Sequence, residues 1–413
     1  MEKRLKVLVS AYACEPHKGS EPGVGWNWAK ELSRFHEVWL ITRTNNRIFI
    51  EEELSKQPIP NLQFAYVDLP RWIAFWKRGQ KGLYLYYFLW QLIAYQKAKA
   101  LHKHISFDVV HHTTFGSILL PTFMPCLKVP FIWGPVGGAE LIPKSLRKNL
   151  TSKSRIYEKF RDLIVFMNYK LNPLTRISIS RAKLILCRTK ITLESIPSKY
   201  KIKSFTMVET GVNKEFIEGM AAESNSRDSQ KILMAGRLLH LKGFDLGIKA
   251  FSKVQDKYPE AQLIILGSGP EEFRLKSLAQ KQSEAKRIIF GKSIPRAKFL
   301  ELLREAHIFL MPSMKEAGTW VLFEAMAAAV PVVCLDYSGP GDIVDDNCAI
   351  KVPVGPEQQV IRDLSAALDR LLGSKKLAKQ IGTAGPRRLM DYYLWESKGD
   401  TAQRLYGEVL KEV

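Results

Sequence analysis

Short apolar runs alternate with helical stretches along the chain, and the alternation happens twice. In the front half, 6–11, 37–42, 62–67, 108–112, 130–133, 184–187 and 204–208 read as strands. Helical patterns fall between them, at 23–34 and 83–102. The back half repeats the theme with strands at 231–235, 262–266, 288–290, 308–311 and 332–335. A strand that feeds a helix and then another strand pairs in parallel. The pattern therefore predicts an α/β fold built from doubly wound parallel sheets. A chain of 413 residues exceeds one ordinary core, so two domains are expected, with a boundary between 208 and 230. In such domains ligands sit outside the carboxyl ends of the strands.

The apolar fraction, 46%, is that of a globular protein, and only the polar, Ser-rich stretch 222–230 reads as disordered. Residues 1–6 are a short charged lead with no apolar signal core. The five cysteines, Cys14, Cys126, Cys187, Cys334 and Cys348, form no C-x-x-C pair and no zinc-spaced cluster. Free thiols in a reducing cytoplasm are expected, and no metal site.

The net charge is +21 and uneven: residues 144–203 hold 16 Lys and Arg against 3 acids. Such a patch calls for an anionic partner. Nucleic acid would demand aromatic residues interleaved with the basic ones on one face. The aromatics of this segment are few (Tyr157, Phe160, Phe166, Tyr169, Tyr200), so nucleic acid is not expected as a partner. The uncharged, aromatic run 82–96 is too short for a transmembrane helix, which needs roughly 20 residues, and reads as a core helix. Its flank at 71–78 mixes Trp72 and Trp76 with basic residues, in the manner of interfacial anchors.

Two motifs in the back half carry chemistry. Glu316 and Glu324 stand eight residues apart, the first in a loop after a strand, the second about a turn inside an Ala-rich helix. Between them Ala317, Gly318, Thr319, Trp320 and Val321 lead into the helix N-terminus, where free N–H groups and the positive dipole end suit a diphosphate. The second motif is Gly236-Arg237, followed five residues after Arg237 by Lys242-Gly243. A guanidinium fork and an ammonium neutralise a departing diphosphate without a metal. Gly267 ends the 262–266 strand in a tight turn, and Lys292 and Ile294 follow the 288–290 strand.

In the front half, Gly23 and Gly25 lie where the opening strand passes into a helix, and glycine there allows close backbone approach. The spacing is not G-x-G-x-x-G. A second glycine loop, 134–138, follows the 130–133 strand, and His111, His112 and Thr113 end the 108–112 strand.

Together these motifs resemble the retaining nucleotide-sugar glycosyltransferases of family 4 (glycosyl transferases group 1), which have the GT-B fold. The resemblance covers nearly the whole chain and is stronger in the back half. It implies two Rossmann-like domains facing across a cleft. Residues 1–210 would form the acceptor-side domain, 211–391 the nucleotide-sugar domain, and a helix at 392–413 would return to the first. It implies that Glu316 faces the donor sugar, that Glu324 accepts from the ribose hydroxyls, and that Arg237 and Lys242 hold the diphosphate. The loop around Lys292 and Ile294 would meet the base through its backbone. A His of an H-x-H usually contacts the sugar; here the histidines are adjacent, and His111, His112 and Thr113 stay open for that role. Gly318-Thr319 departs from the family's usual Phe-Gly.

The activity so implied is transfer of a hexose from an NDP-sugar, UDP-sugar foremost, to a saccharide or lipid-linked saccharide. Configuration is retained, no cofactor or metal is used, and the setting is surface polysaccharide biosynthesis. The basic segment and aromatic flank point to a cytoplasmic enzyme peripheral on an anionic membrane surface. Two rival readings make different demands. A nucleotide-sugar epimerase on the same fold would need acids and bases around C2 of the sugar, and the paired glutamates with the Arg–Lys pair fit transfer better. A basic nucleic-acid-binding protein is the weaker rival.

Overall fold

The computed structural model describes residues 4–411 except 71, 74, 78, 80, 149, 223–229 and 283–286. The stretch expected to be disordered, 222–230, thus lies almost wholly outside the described residues, as do Arg71 and Arg78 of the aromatic flank. The chain divides into two units. The first takes the chain up to Ala139, Leu163–Gly211 and the part from Trp395 onward; the second takes Glu140–Asp162 and Val212–Leu394.

The first unit is built on seven strands: β1 (Lys6–Ser10), β2 (Glu37–Arg43), β3 (Leu62–Val67), β4 (Val109–His112), β5 (Phe131–Val136), β6 (Ala182–Cys187) and β7 (Ser204–Thr206). Their order is β3-β2-β1-β4-β5-β6-β7, and every pairing is parallel. The direction of winding reverses between β1 and β4. The strands read as near-continuous apolar runs because helices cover both faces of a parallel sheet. Trp28, Trp90 and Trp133 are fully buried. Each large apolar side chain so buried contributes about 1.5–3 kcal/mol.

The second unit holds six parallel strands: β8 (Lys231–Ala235), β9 (Gln262–Leu266), β10 (Ile288–Gly291), β11 (Ile308–Met311), β12 (Val332–Leu335) and β13 (Ala349–Val352). Their order is β10-β9-β8-β11-β12-β13. The sequence pattern does not mark β13. The switch of winding falls between β8 and β11, the place where open α/β sheets bind ligands.

Three features differ from the sequence expectation. Residues 140–162 join the second unit, because Ile142, Leu146 and Leu150 are buried in its core cluster with Phe244 and Leu335. The last helix is Trp395–Lys411; Tyr392 closes the preceding helix, Lys375–Tyr392. That last helix packs on Ser20–Ser33 of the first unit, with Arg34 bonded to Asp400 at 3.2 Å and Tyr406 stacked on His36. The Leu83–Ile105 helix is only half a core helix. Tyr86, Tyr87, Trp90 and Ala94 are buried, while Tyr84, Leu85, Phe88 and Leu92 are exposed.

Candidate active site

The loops leaving β8, β9, β10 and β11 are tied to one another by their backbones. The Gly236 N–H donates to Leu266, Gly267 to Gly291, Leu238 to Ser268 and Met314 to Leu241, at 2.9–3.1 Å. Gly267 has φ +144°, and a Cβ there would overlap the Gly236 carbonyl oxygen. Glycine is therefore required for the two turns to meet. The result is a continuous rim at the carboxyl edge of the second sheet. Its functional side chains come from different strands.

Arg237 leaves β8 exposed, with no ion-pair partner among the described residues. Lys242 closes a short 3-10 turn (His240–Lys242) and is ion-paired with Glu316. Glu316 is held through its own backbone as well: its carbonyl accepts the Gly339 N–H at 2.9 Å and the Ser338 hydroxyl. Burial pushes the Glu316 carboxyl up, Lys242 opposes that, and the nearby Glu140 adds to it. A carboxylate in that position depends on its cation.

Four residues after Glu316, the Trp320–Ala327 helix begins. Its N-cap is Thr319, extended at φ −141° and ψ 93°, whose side chain caps nothing. The Thr319 hydroxyl and the Trp320 indole N–H are both buried without a hydrogen-bond partner. The backbone N–H groups of Trp320 and Val321 also find no acceptor among the described residues. Buried donors are rarely left unpaired, so this cluster is suited to an anion that completes it. Ala317 and Gly318 supply the half-buried backbone leading into it.

Glu324 lies in the second turn of the same helix, buried. It accepts from the Arg296 Nε at 2.6 Å. Burial raises its carboxyl and Arg296 opposes the rise. Arg296 opens the helix Arg296–Glu305 after β10, and its guanidinium lies over the Phe216 ring. Lys292 is exposed and Ile294 half-buried on the β10 loop, whose Ser293 hydroxyl meets Ser268 at 3.3 Å.

A further residue of this rim belongs to no motif. Glu158, on the Ser152–Leu171 helix, is buried and accepts from the Lys315 ammonium at 2.6 Å. Its other oxygen meets the His240 ring at 2.9 Å. Burial alone would raise the Glu158 carboxyl, but hydrogen bonds from His240 and Lys315 outweigh it and hold it at about 2. Glu158 thereby clasps the loops that carry Lys242 and Glu316, through residues that nearly adjoin them in the chain. A single acid in a basic segment gives no signal of this.

The candidates of the first unit are placed differently. His111 is fully buried: its Nε2 meets the Gly134 carbonyl at 2.7 Å and its Nδ1 the Tyr406 hydroxyl at 2.5 Å. The carbonyl only accepts, so Nε2 carries the proton and Nδ1 accepts from Tyr406. His112 is equally buried, between the Tyr87 hydroxyl at 3.0 Å and the Ser10 hydroxyl at 3.1 Å. Burial holds both rings neutral, His111 at about 4 and His112 at about 3. Both nitrogens of each ring are committed to hydrogen bonds inside the first unit. Thr113, the third candidate, is buried with its hydroxyl unpartnered.

Gly23 and Gly25 lie buried inside the Ser20–Ser33 helix. A Cβ on Gly25 would overlap the Ala13 carbonyl, so this glycine lets the helix close onto the chain leaving β1. Beside it Glu21 accepts from the Phe115 N–H at 2.9 Å and from Arg188 at 2.8 Å, and Arg188 also pairs with Glu209. No motif marks Arg188.

Residues 217–388 match the family model of "Glycosyl transferases group 1". Less than half of the chain is thus similar to the glycosyl transferases group 1 family. The matched segment contains Arg237, Lys242, Glu316 and Glu324, the whole rim apart from Glu158. Among curated proteins, the chain is 23% identical over 188 residues to the phosphatidylinositol N-acetylglucosaminyltransferase gpi3 subunit of Schizosaccharomyces pombe, covering 45% of this chain and 40% of that one. It is 27% identical over 179 residues to the GDP-mannose-dependent alpha-(1-6)-phosphatidylinositol monomannoside mannosyltransferase of Mycolicibacterium smegmatis, covering 42% and 46%. In both cases the chain spans less than half the length of the relative it matches.

Solved structures align over nearly the full length. The sucrose-phosphate synthase of Thermosynechococcus elongatus superimposes with a TM-score of 0.65 at 17% identity, covering 99% of this chain and 100% of that one. The lipopolysaccharide outer core galactosyltransferase WaaB gives 0.64 at 15% identity, covering 96% and 99%. At such identities the likeness speaks for the fold, and the fold is the GT-B type with two parallel-sheet α/β units.

Proposed function

We propose that the protein is a retaining glycosyltransferase that moves a hexose from an NDP-sugar to a saccharide or lipid-linked saccharide. The observation that carries this is the Lys242–Glu316 pair set beside an uncapped helix N-terminus with unpaired donors at Thr319, Trp320 and Val321. The diphosphate would be received by these N–H groups, by Arg237 and by Lys242, which would exchange its carboxylate partner for phosphate. Charge developing on the leaving diphosphate would meet fixed donors already in place, with no divalent cation needed. Glu316, released from Lys242, would face the sugar. Glu324, steadied by Arg296, would accept from the ribose hydroxyls.

The acceptor is proposed to be lipid-linked, within surface polysaccharide assembly. Two relatives carry phosphatidylinositol in their names and a structural neighbour lipopolysaccharide, which supports this class. No helix among the described residues is long and apolar enough to cross a membrane. The proposed setting is the cytoplasmic surface of an anionic membrane, with the protein bound peripherally. A UDP-sugar is placed first as donor.

Calorimetry with UDP, GDP and ADP tests the donor, and NMR of the first anomer formed on a sugar acceptor tests retention. Micromolar binding of one nucleotide and a product of donor-like configuration are expected. No binding of any of the three, or an inverted first product, would overturn the reading.

A further inference from the structure

The Ser152–Leu171 helix is turned inside out. Its inward side carries Ser154 and Glu158, buried, and Arg161 and Asn168, half-buried, with Val165 the one buried apolar member among the described residues. Each polar member has a partner: Ser154 bonds Thr151, Glu158 holds Lys315 and His240, Arg161 donates to the Glu140 carbonyl, and Asn168 donates to the Ile118 carbonyl. The opposite side carries Ile156, Phe160, Leu163, Ile164, Met167 and Leu171, all exposed, with Ile156 at 69% and Phe160 at 63%. The spacing 156, 160, 163, 167 and 171 draws one continuous apolar stripe along the helix. A surface helix of a protein bathed only in water buries its apolar side; contiguous apolar patches left outside mark an interaction surface.

We propose that this stripe is the element by which the protein enters the surface of an anionic bilayer. The proposal rests on the peripheral-membrane part of the function proposed above and names the surface that performs it. Lys153 and Lys159, both exposed, lie on the same helix, within the segment of 16 basic and 3 acidic residues. Apolar side chains with basic neighbours on a helix suit the boundary between headgroups and acyl chains. A second copy of the chain is the poorer occupant, since each copy carries a net charge of +21 and the same basic segment. The stripe also replaces the 71–78 flank as the principal contact: it presents six apolar side chains along one helix, whereas the flank offers Trp72 and Phe75 outside regular structure. Glu158, on the opposite side of the helix, ties the membrane-facing element to the donor loops.

The test is co-sedimentation with phosphatidylglycerol vesicles and with phosphatidylcholine vesicles, comparing the wild type with the triple variant F160S/L163S/M167S. These side chains are exposed and supply none of the hydrogen bonds or ion pairs described for the site, so nucleotide affinity by calorimetry and the melting curve should stay at wild-type values. Expected is binding to the anionic vesicles, weakened by salt, and a loss of about tenfold or more in the triple variant. If the triple variant binds these vesicles as well as the wild type, the helix is not the contact, while peripheral binding stands. If the wild type binds nucleotide but no vesicle, peripheral binding and this surface both fail and the enzymatic reading stands. A wild-type dimer in analytical ultracentrifugation that the triple variant abolishes would assign the stripe to a second copy and overturn the proposal.

Discussion

The Lys315 ammonium lies 2.6 Å from the Glu158 carboxylate, and the residue after Lys315 is Glu316. A buried acid 157 residues away thus sets the backbone from which a candidate catalytic side chain projects. Removing one partner of a buried pair leaves an uncompensated charge. Glu158→Ala should destabilise the protein by about 3–5 kcal/mol, and Glu158→Gln by less. The acid dependence has a definite sign. The carboxyl is held near 2 against an ordinary 4.5, so its contribution is complete above pH 4.5 and is lost as pH falls toward 2. Urea denaturation across that range should show the loss in the wild type and not in Glu158→Gln.

The two glutamates of the rim should separate in their effects. Glu324→Ala is expected to weaken NDP binding about tenfold or more, since it removes an acceptor and frees Arg296. Glu316→Ala is expected to lower turnover far more than NDP affinity. Calorimetry and steady-state kinetics on both variants decide the matter; equal losses of affinity would contradict the division.

Arg237→Ala and Lys242→Ala should each reduce kcat by about 10²-fold or more with a smaller effect on nucleoside binding, because their charge acts on the departing diphosphate. Lys242→Ala additionally strands Glu316 without its cation, so its carboxyl should rise further and activity at low pH should suffer. EDTA should leave the wild-type rate unchanged. A strict need for Mg²⁺ or Mn²⁺ would remove the metal-free assignment.

His111 and His112 should report on stability rather than on catalysis. Both are neutral when folded, at about 4 and 3, against an ordinary 6.5. For a base depressed in the folded state, the unfolded chain binds protons first. Stability is therefore full above pH 6.5 and declines as pH falls toward 4. Tyr406→Phe leaves the His111 Nδ1 without its donor and should cost about 1–3 kcal/mol in urea denaturation at pH 7, with nucleotide affinity unchanged.

The parallel sheets were legible because short apolar runs alternate with helical periods, and the rim was legible because Arg237, Lys242, Glu316 and Glu324 stand at fixed distances from strand ends. β13 was not, since Ala349–Val352 is short and carries a lysine. Glu158 was invisible for a different reason: its partners, Lys315 and His240, are distant in sequence and recur in no pattern. The Ser152–Leu171 helix shows its two-sidedness in the sequence. Which side faces inward depends on where Lys315 and His240 wait for a carboxylate, and periodicity carries no sign. The placement of the adjacent histidines could not be read, because a polar residue at a strand end looks alike whether it serves a ligand or, as His111 does, the Gly134 carbonyl.

The last helix, Trp395–Lys411, supplies Tyr406 to His111 and the indole of Trp395 against Gly211. During synthesis this makes the order of completion run opposite to the order of translation. Everything the second unit needs has been made once Leu394 leaves the ribosome, while the first unit, begun hundreds of residues earlier, still lacks a wall. The front of the chain must therefore wait, with His36 and His111 uncovered, for the Trp395–Lys411 helix, and chaperone dependence should centre on that unfinished sheet.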